Sequence, residues 1–102
     1  MQLKADHFIH KIYLSEIKFI QSDDDYVKIH FIAAKPKLFR ITLKELQAML
    51  PEKEFIRIHR SYVLPIKAIT RIGSKCAFVN ELEFPVGSNY ESDLKIKFNS
   101  NT

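Results

Sequence analysis

Short apolar segments, each bounded by turn-forming residues, occupy most of this chain and restrict the folds that it can adopt. The clearest runs from residue 26 to residue 32, where apolar and polar side chains alternate with the period of a β-strand. The other strand candidates are residues 8–14, 17–20, 37–41, 55–64, 66–72, 75–79, 82–86 and 94–98. This pattern of many short strands predicts a mainly β, antiparallel domain.

One segment, residues 42–50, has the pattern of a helix. Thr42 and Glu45 are spaced as a capping box, and Pro51 follows as a stop signal. Four apolar side chains fall on one stripe, which predicts that the helix packs against a sheet. They are Leu43, Leu46, Met49 and Leu50.

Length and cysteine content set further bounds. The 102 residues suffice for a single domain, 1–102. Cys76 is the only cysteine, so no intrachain disulfide can form and a reducing cytoplasm is the expected setting. No apolar run approaches the length that spans a bilayer, and we expect no membrane association.

The charge of the chain is concentrated in its middle. The net charge is +4, but residues 35–75 carry ten cations and three anions, a local net charge of +7. Such asymmetry favours a basic face that binds a polyanion such as nucleic acid. A solvated outer face, with cation stems covering apolar surface, accounts for the charge about equally well.

A cationic, hydrogen-bonding cluster interrupts the strand pattern of residues 55–64. His59, Arg60 and Ser61 lie between two strand-competent segments, with no glycine among them. Flanking strands fix the direction of such side chains, so the segment is suited to recognition. If Ile58 is a core residue, Arg57 and His59 point to the opposite face.

The motifs of this chain resemble the LytTR family of bacterial DNA-binding domains. The specific part is Phe-x-Arg-Ile-His-Arg-Ser-Tyr-Val at residues 55–63, which follows a Leu-Lys-Glu-Leu helix at 43–46 and precedes Pro-Val-Gly at 85–87. The resemblance implies an elongated antiparallel β-sandwich with one short α-helix. It also implies sequence-specific binding of double-stranded DNA for transcriptional regulation, with loops inserted into the major groove at direct-repeat sites.

The resemblance also bears on the rest of the protein. Family members are usually output halves of two-component response regulators, so we expect a fragment of a longer protein with a receiver domain upstream. A homodimer on DNA is a further expectation, and no cofactor is expected.

Roles carried over from the resemblance centre on Arg60, which occupies a base-contacting position. A guanidinium can bridge guanine O6 and N7, which supports that role. Ser61 and Lys44 match positions near the DNA backbone, although a turn hydrogen bond explains Ser61 equally well. Arg57, which points outward, is also expected among the DNA-binding residues. His59 either donates to phosphate or, as we favour, is satisfied by backbone at a strand end.

Two segments depart from the family pattern. Asp23, Asp24 and Asp25 fill the first base-reading loop, where carboxylates repel phosphate. Either one of them, taken here as Asp25, accepts from a cytosine amine, or the triplet turns towards nearby cations. A metal site is a remote third option. After Pro-Val, Ser88 and Asn89 replace an arginine, and Asn89 can read adenine or simply form a turn.

Two other classes of function compete with DNA binding. An enzyme is disfavoured, because the chain lacks a nucleophile elbow, a zinc-protease motif and a glycine-rich phosphate loop. A β-rich protein-interaction module remains the alternative, because small β domains expose strand edges that a partner can extend.

Overall fold

The computed structural model describes residues 1–100, in which antiparallel strands predominate and the principal extents are 42 × 24 × 23 Å. The strands are β1 Gln2–Ala5, β2 Phe8–Lys11, β3 Ile17–Asp23, β4 Tyr26–Phe31, β5 Lys37–Phe39, β6 Phe55–His59, β7 Tyr62–Pro65, β8 Arg71–Ile72, β9 Cys76–Val79 and β10 Leu82–Pro85. The helices are α1 Leu43–Met49 and α2 Glu91–Ser100, with short 3-10 segments at Leu14–Glu16, Ile66–Ala68 and Ser88–Tyr90. The predicted elongated, mainly β architecture is confirmed.

A five-stranded sheet forms the centre, in the order β5-β4-β3-β7-β6. A hairpin of β1 and β2 and a three-stranded sheet, β10-β9-β8, complete the strand pairing. Every strand pair is antiparallel, and tight turns join β3 to β4 and β6 to β7. The two turns therefore lie at the same end of the central sheet.

The central sheet separates two apolar clusters. Successive residues of a strand point to opposite faces, and in β7 Val63 enters one cluster while Leu64 enters the other. The first cluster, here called the α1 layer, includes Ile20, Val63 and the buried leucines of α1. The second, the β10 layer, includes Ile58, Leu64 and residues of β9, β10 and α2. Strands β6 and β7 are thus buried on both faces.

The α1 helix begins as predicted and packs less completely than predicted. Thr42 Oγ1 accepts from the Glu45 N–H at 3.0 Å, and the Thr42 N–H donates to Glu45 Oε1 at 3.2 Å, which confirms the capping box. The three leucines of the stripe are buried, but Met49 is 47% exposed. The prediction for Met49 was wrong because it lies roughly 100° around the helix from Leu50, outside the narrow face that meets the sheet.

The C-terminal segment corrects two predictions. Residues 94–98 lie in α2 and not in a strand, so the domain has two α-helices instead of one. Leu94 is buried, whereas Ile96 is 65% exposed, and an Asp93–Lys97 pair at 3.5 Å joins successive turns. The alternation that suggested a strand therefore does not correspond to one buried face.

Two further segments differ from expectation. Residues 66–72 do not form one strand, because the 3-10 turn Ile66–Ala68 interrupts them and leaves only β8. Strand β1 was not predicted, and it joins β2 through Asp6 and His7, both in the left-handed region. Within residues 1–100, no helix is long and apolar enough to cross a membrane.

Candidate functional site

The turn between β6 and β7 presents Arg60 to solvent. His59 pairs with Tyr62, so Arg60 and Ser61 are the two residues of a tight hairpin turn. Arg60 is exposed, and its side chain has no hydrogen-bond or ion-pair partner within the described residues. The strand pairing on both sides restricts the direction of the Arg60 Cα–Cβ bond, from which the side chain extends into solvent.

Side chains of the same hairpin fasten the turn, which we call the Arg60 turn (residues 59–62). The Arg57 guanidinium donates from Nε to the His59 carbonyl at 3.2 Å and from Nη2 to the Arg60 carbonyl at 2.6 Å. The Ser61 N–H donates to His59 Nδ1 at 3.1 Å. The Ser61 carbonyl accepts from the Ser22 N–H at 2.9 Å, which ties the turn to β3.

His59 is half-buried and has a backbone partner, as the sequence favoured. Its ring packs against Tyr62 with centroids 5.8 Å apart. Because Nδ1 accepts from a backbone N–H, Nε2 carries the ring proton in the neutral form. Nε2 thus remains a donor for a second partner.

Ser88 and Asn89 lie beside the Arg60 turn although they are far from it in sequence. Both are exposed in the 3-10 segment that follows β10. The Gly87 N–H donates to the Ile58 carbonyl at 2.9 Å. A Cβ at Gly87 would lie 3.0 Å from the Tyr90 ring and 4.0 Å from His59 Cα, so glycine permits this close approach.

A groove of about 340 Å³ joins three of the predicted segments. Asp24 and Asp25 of the β3–β4 turn, Lys44 of α1, and Arg57 and Arg60 all contribute to its wall. Four predicted site residues are therefore brought together, namely Asp25, Lys44, Arg57 and Arg60.

The carboxylates of this groove do not neutralise its cations by direct contact. Within residues 1–100, the one ion pair is between Asp93 and Lys97 of α2. Nor does the described part of the chain contain three His, Cys, Asp or Glu side chains arranged to hold a metal ion. The Asp24 and Asp25 carboxylates face the groove as exposed charges.

A second group of basic residues, Lys18, Lys28 and His30, lies on β3 and β4, and no sequence pattern predicted it. The His30 ring stacks on Phe19 at 3.9 Å, and its Nε2 lies 3.1 Å from Gln21 Oε1. Partial burial lowers the pKa of His30, and the charges of Lys28 and Lys18 lower it further. The charge count of residues 35–75 could not reveal this group, because all its members precede that range.

Comparison with known proteins identifies the family. The model of the LytTr DNA-binding domain matches residues 7–99. An uncharacterized response regulatory protein of Vibrio cholerae serotype O1 is 29% identical over 96 residues, a match that covers 86% of this chain and 37% of that relative. The chain thus spans well under half the length of this curated relative.

A solved structure has the same fold. It is a LytTr DNA-binding domain from Bacillus cereus, which matches with a TM-score of 0.77 at 19% identity, covering 95% of this chain and 94% of that chain. Since the family model extends over nearly the whole chain and the architecture agrees, the chain belongs to the LytTr DNA-binding domain family.

Proposed function

We propose that this chain binds double-stranded DNA in a sequence-specific manner and thereby regulates transcription. The observation that carries the proposal is the exposed Arg60 guanidinium on a turn fastened by Arg57, His59 and the strand pairing. A binding role without catalysis agrees with the family description, which names a DNA-binding domain.

Arg60 is the base reader in this proposal. Its planar fork matches O6 and N7 of guanine in the major groove, and the fastened turn limits the conformational entropy lost on binding. Asn89 reads an adjacent base edge, because the Gly87–Ile58 hydrogen bond holds its segment against β6.

Other predicted residues act on the DNA backbone. Lys44 at the edge of the groove binds phosphate, and Ser61, Ser88 and His59 Nε2 supply further hydrogen-bond donors. Asp25 shares the groove, where it accepts from a cytosine amine or repels misplaced phosphate. Binding that depends on phosphate neutralisation weakens steeply as salt is raised.

The wider context of the chain is part of the same proposal. The loops enter the major groove at direct-repeat sites, and two copies bind neighbouring half-sites as a homodimer on DNA. The match covers only 37% of a response regulatory protein, which supports a longer natural protein, and the proposal places a receiver domain upstream of this chain.

The test compares two substitutions at Arg60 on a duplex selected from a random pool. Arg60→Ala should weaken binding to the selected duplex by about 1–3 kcal/mol and relax the preference at one base pair. Arg60→Lys keeps the charge but loses the fork, so it should retain binding to random duplexes and lose most of the discrimination. Fluorescence anisotropy at several salt concentrations measures both quantities.

Lys67→Ala is the matched control, because Lys67 is an exposed cation beyond the far end of β7 from the Arg60 turn. It should leave discrimination unchanged. Equal losses on selected and random duplexes for Arg60→Ala would exclude a base-reading role. If the wild-type chain binds no duplex in these titrations at low salt, the protein-interaction alternative is favoured instead.

A further inference from the structure

The Arg57 side chain has a different environment from the other cations of the groove. It is half-buried, whereas Arg60 and Lys44 are exposed. Its Nε and Nη2 donors are directed at two successive carbonyls, those of His59 and Arg60, at 3.2 Å and 2.6 Å. The guanidinium thus faces the backbone of the turn that carries Arg60.

The strand pairing is irregular just before the turn that Arg57 fastens. The register of β6 and β7 shifts between Arg57 and His59, which is a bulge one residue before the turn. The extra residue of a bulge is left unpaired, and bulges re-aim the side chains beside them. The Ile58 carbonyl accepts from the Gly87 N–H, and the Arg57 guanidinium donates to the His59 carbonyl at the end of β6 and to the Arg60 carbonyl within the turn.

We infer that Arg57 is a positioning residue for base reading by Arg60 and is not itself a phosphate contact, an inference that rests on the proposed function. A guanidinium bound to two carbonyls fixes the peptide planes on both sides of the Arg60 Cα. The direction of the Arg60 side chain follows from those planes. Specificity at that base pair therefore depends on Arg57 without contact between Arg57 and DNA.

Lysine cannot replace arginine in this role. The ammonium is a compact point charge, whereas the two carbonyls require a planar fork with separate donors. Arg57→Lys keeps the positive charge that a phosphate contact would need. It removes the clamp, by which we mean the two hydrogen bonds from Arg57 to the His59 and Arg60 carbonyls. The two roles therefore predict opposite outcomes for the same variant.

The experiment measures binding of wild type, Arg57→Lys and Arg57→Ala to a selected and to a random duplex over a range of salt. In both variants the ratio of affinity for the selected duplex to affinity for the random duplex should fall by roughly tenfold or more. This lies within the range expected for the loss of one base contact. The slope of log affinity against log salt should stay unchanged. A phosphate contact at Arg57 instead reduces that slope by about 0.9 for Arg57→Ala and leaves Arg57→Lys close to wild type, which would overturn the inference.

A double-substitution cycle of Arg57→Lys and Arg60→Ala measures how far the contribution of Arg57 to discrimination depends on Arg60. If Arg57 acts through Arg60, adding Arg57→Lys to Arg60→Ala should cause no further loss of discrimination. Independent, additive losses would contradict the positioning role. Thermal unfolding of each variant checks that the domain is folded at the binding temperature.

A measurement without DNA separates this inference from the proposed function. Hydrogen exchange of the Ser61 amide, which donates to His59 Nδ1, should be faster in Arg57→Lys than in wild type. Unchanged exchange means that Arg57 does not hold the turn. Faster exchange in Arg57→Lys together with no duplex binding by wild type would reject the DNA-binding proposal while supporting the role of Arg57 in holding the turn.

Discussion

The two hairpins of the central sheet end side by side, yet their turns are held in different ways. The β6–β7 turn is cationic, and three hydrogen bonds from Arg57 and to His59 fasten it. The β3–β4 turn is acidic, Asp24 adopts φ 60°, and no side-chain hydrogen bond holds this turn within residues 1–100. Side-chain hydrogen bonds therefore hold the β6–β7 turn in one conformation. The β3–β4 turn depends instead on the ability of aspartate to adopt left-handed backbone angles.

The largest expected difference between the hairpins concerns their packing. Ile58 is fully buried two residues before Arg60, whereas Tyr26 is 42% exposed directly after the acidic turn. Ile58→Ala should lower the free energy of unfolding by about 2–5 kcal/mol, because the closely packed β10 layer would retain a cavity. Tyr26→Ala should lower it by about 1 kcal/mol or less. Urea denaturation measures both, and equal losses would mean that the two hairpins are anchored alike.

A smaller effect should follow from removing charge at the acidic turn. Asp25→Asn should raise affinity for random duplexes by at most about 1 kcal/mol at low salt, and less as salt screens the repulsion. If Asp25 accepts from a cytosine amine, affinity for the selected duplex falls at the same time. Anisotropy titrations on both duplexes distinguish these outcomes.

Glu81→Gln serves as the control for Asp25→Asn, because Glu81 is exposed in the β9–β10 turn, at the far end of β10 from Gly87. An equal gain in affinity for both variants would indicate a general effect of net charge. The acidic turn would then have no particular position relative to DNA.

The smallest effect concerns the half-buried histidine of the β3–β4 hairpin. Because the pKa of His30 is lowered in the folded state, the unfolded chain binds more protons below about pH 6.5. Stability should therefore decrease as the pH falls from about 7 to 5. Glutamine at position 30 cannot bind a proton, so the stability of His30→Gln should decrease less than that of wild type over the same pH interval. Denaturation midpoints at both pH values measure the difference, and parallel decreases would exclude His30 as a contributor.

The sequence predicted those elements whose signals are local. Alternation identified β4, and the capping box identified the start of α1, because both patterns are complete within a few residues. The α2 segment misled because Leu94, Ile96 and Phe98 alternate as in a strand, although only Leu94 is fully buried. The Asp6–His7 turn before β2 gave only a weak signal, since aspartate and histidine tolerate left-handed backbone angles but glycine, the strongest signal of such a turn, is not present there.

The residues of the candidate site were predicted more completely than their arrangement. The motif at residues 55–63 identified Arg57, His59 and Arg60, but only the fold reveals that the Arg57 donors turn back onto the backbone. The register shift of β6 depends on pairing with β7, and the Ile58 carbonyl accepts from Gly87 of a distant segment. Neither interaction leaves a mark in the local sequence.

Strand β7 belongs to both apolar clusters, since Val63 faces the α1 layer and Leu64 faces the β10 layer. The Arg60 turn is therefore joined directly to a strand that packs against both layers. A duplex that recognises the geometry of this turn binds the folded chain more tightly than the unfolded chain, and mass action then stabilises both layers together. Occupancy of the turn should thus raise the melting temperature of the domain as a single cooperative unit.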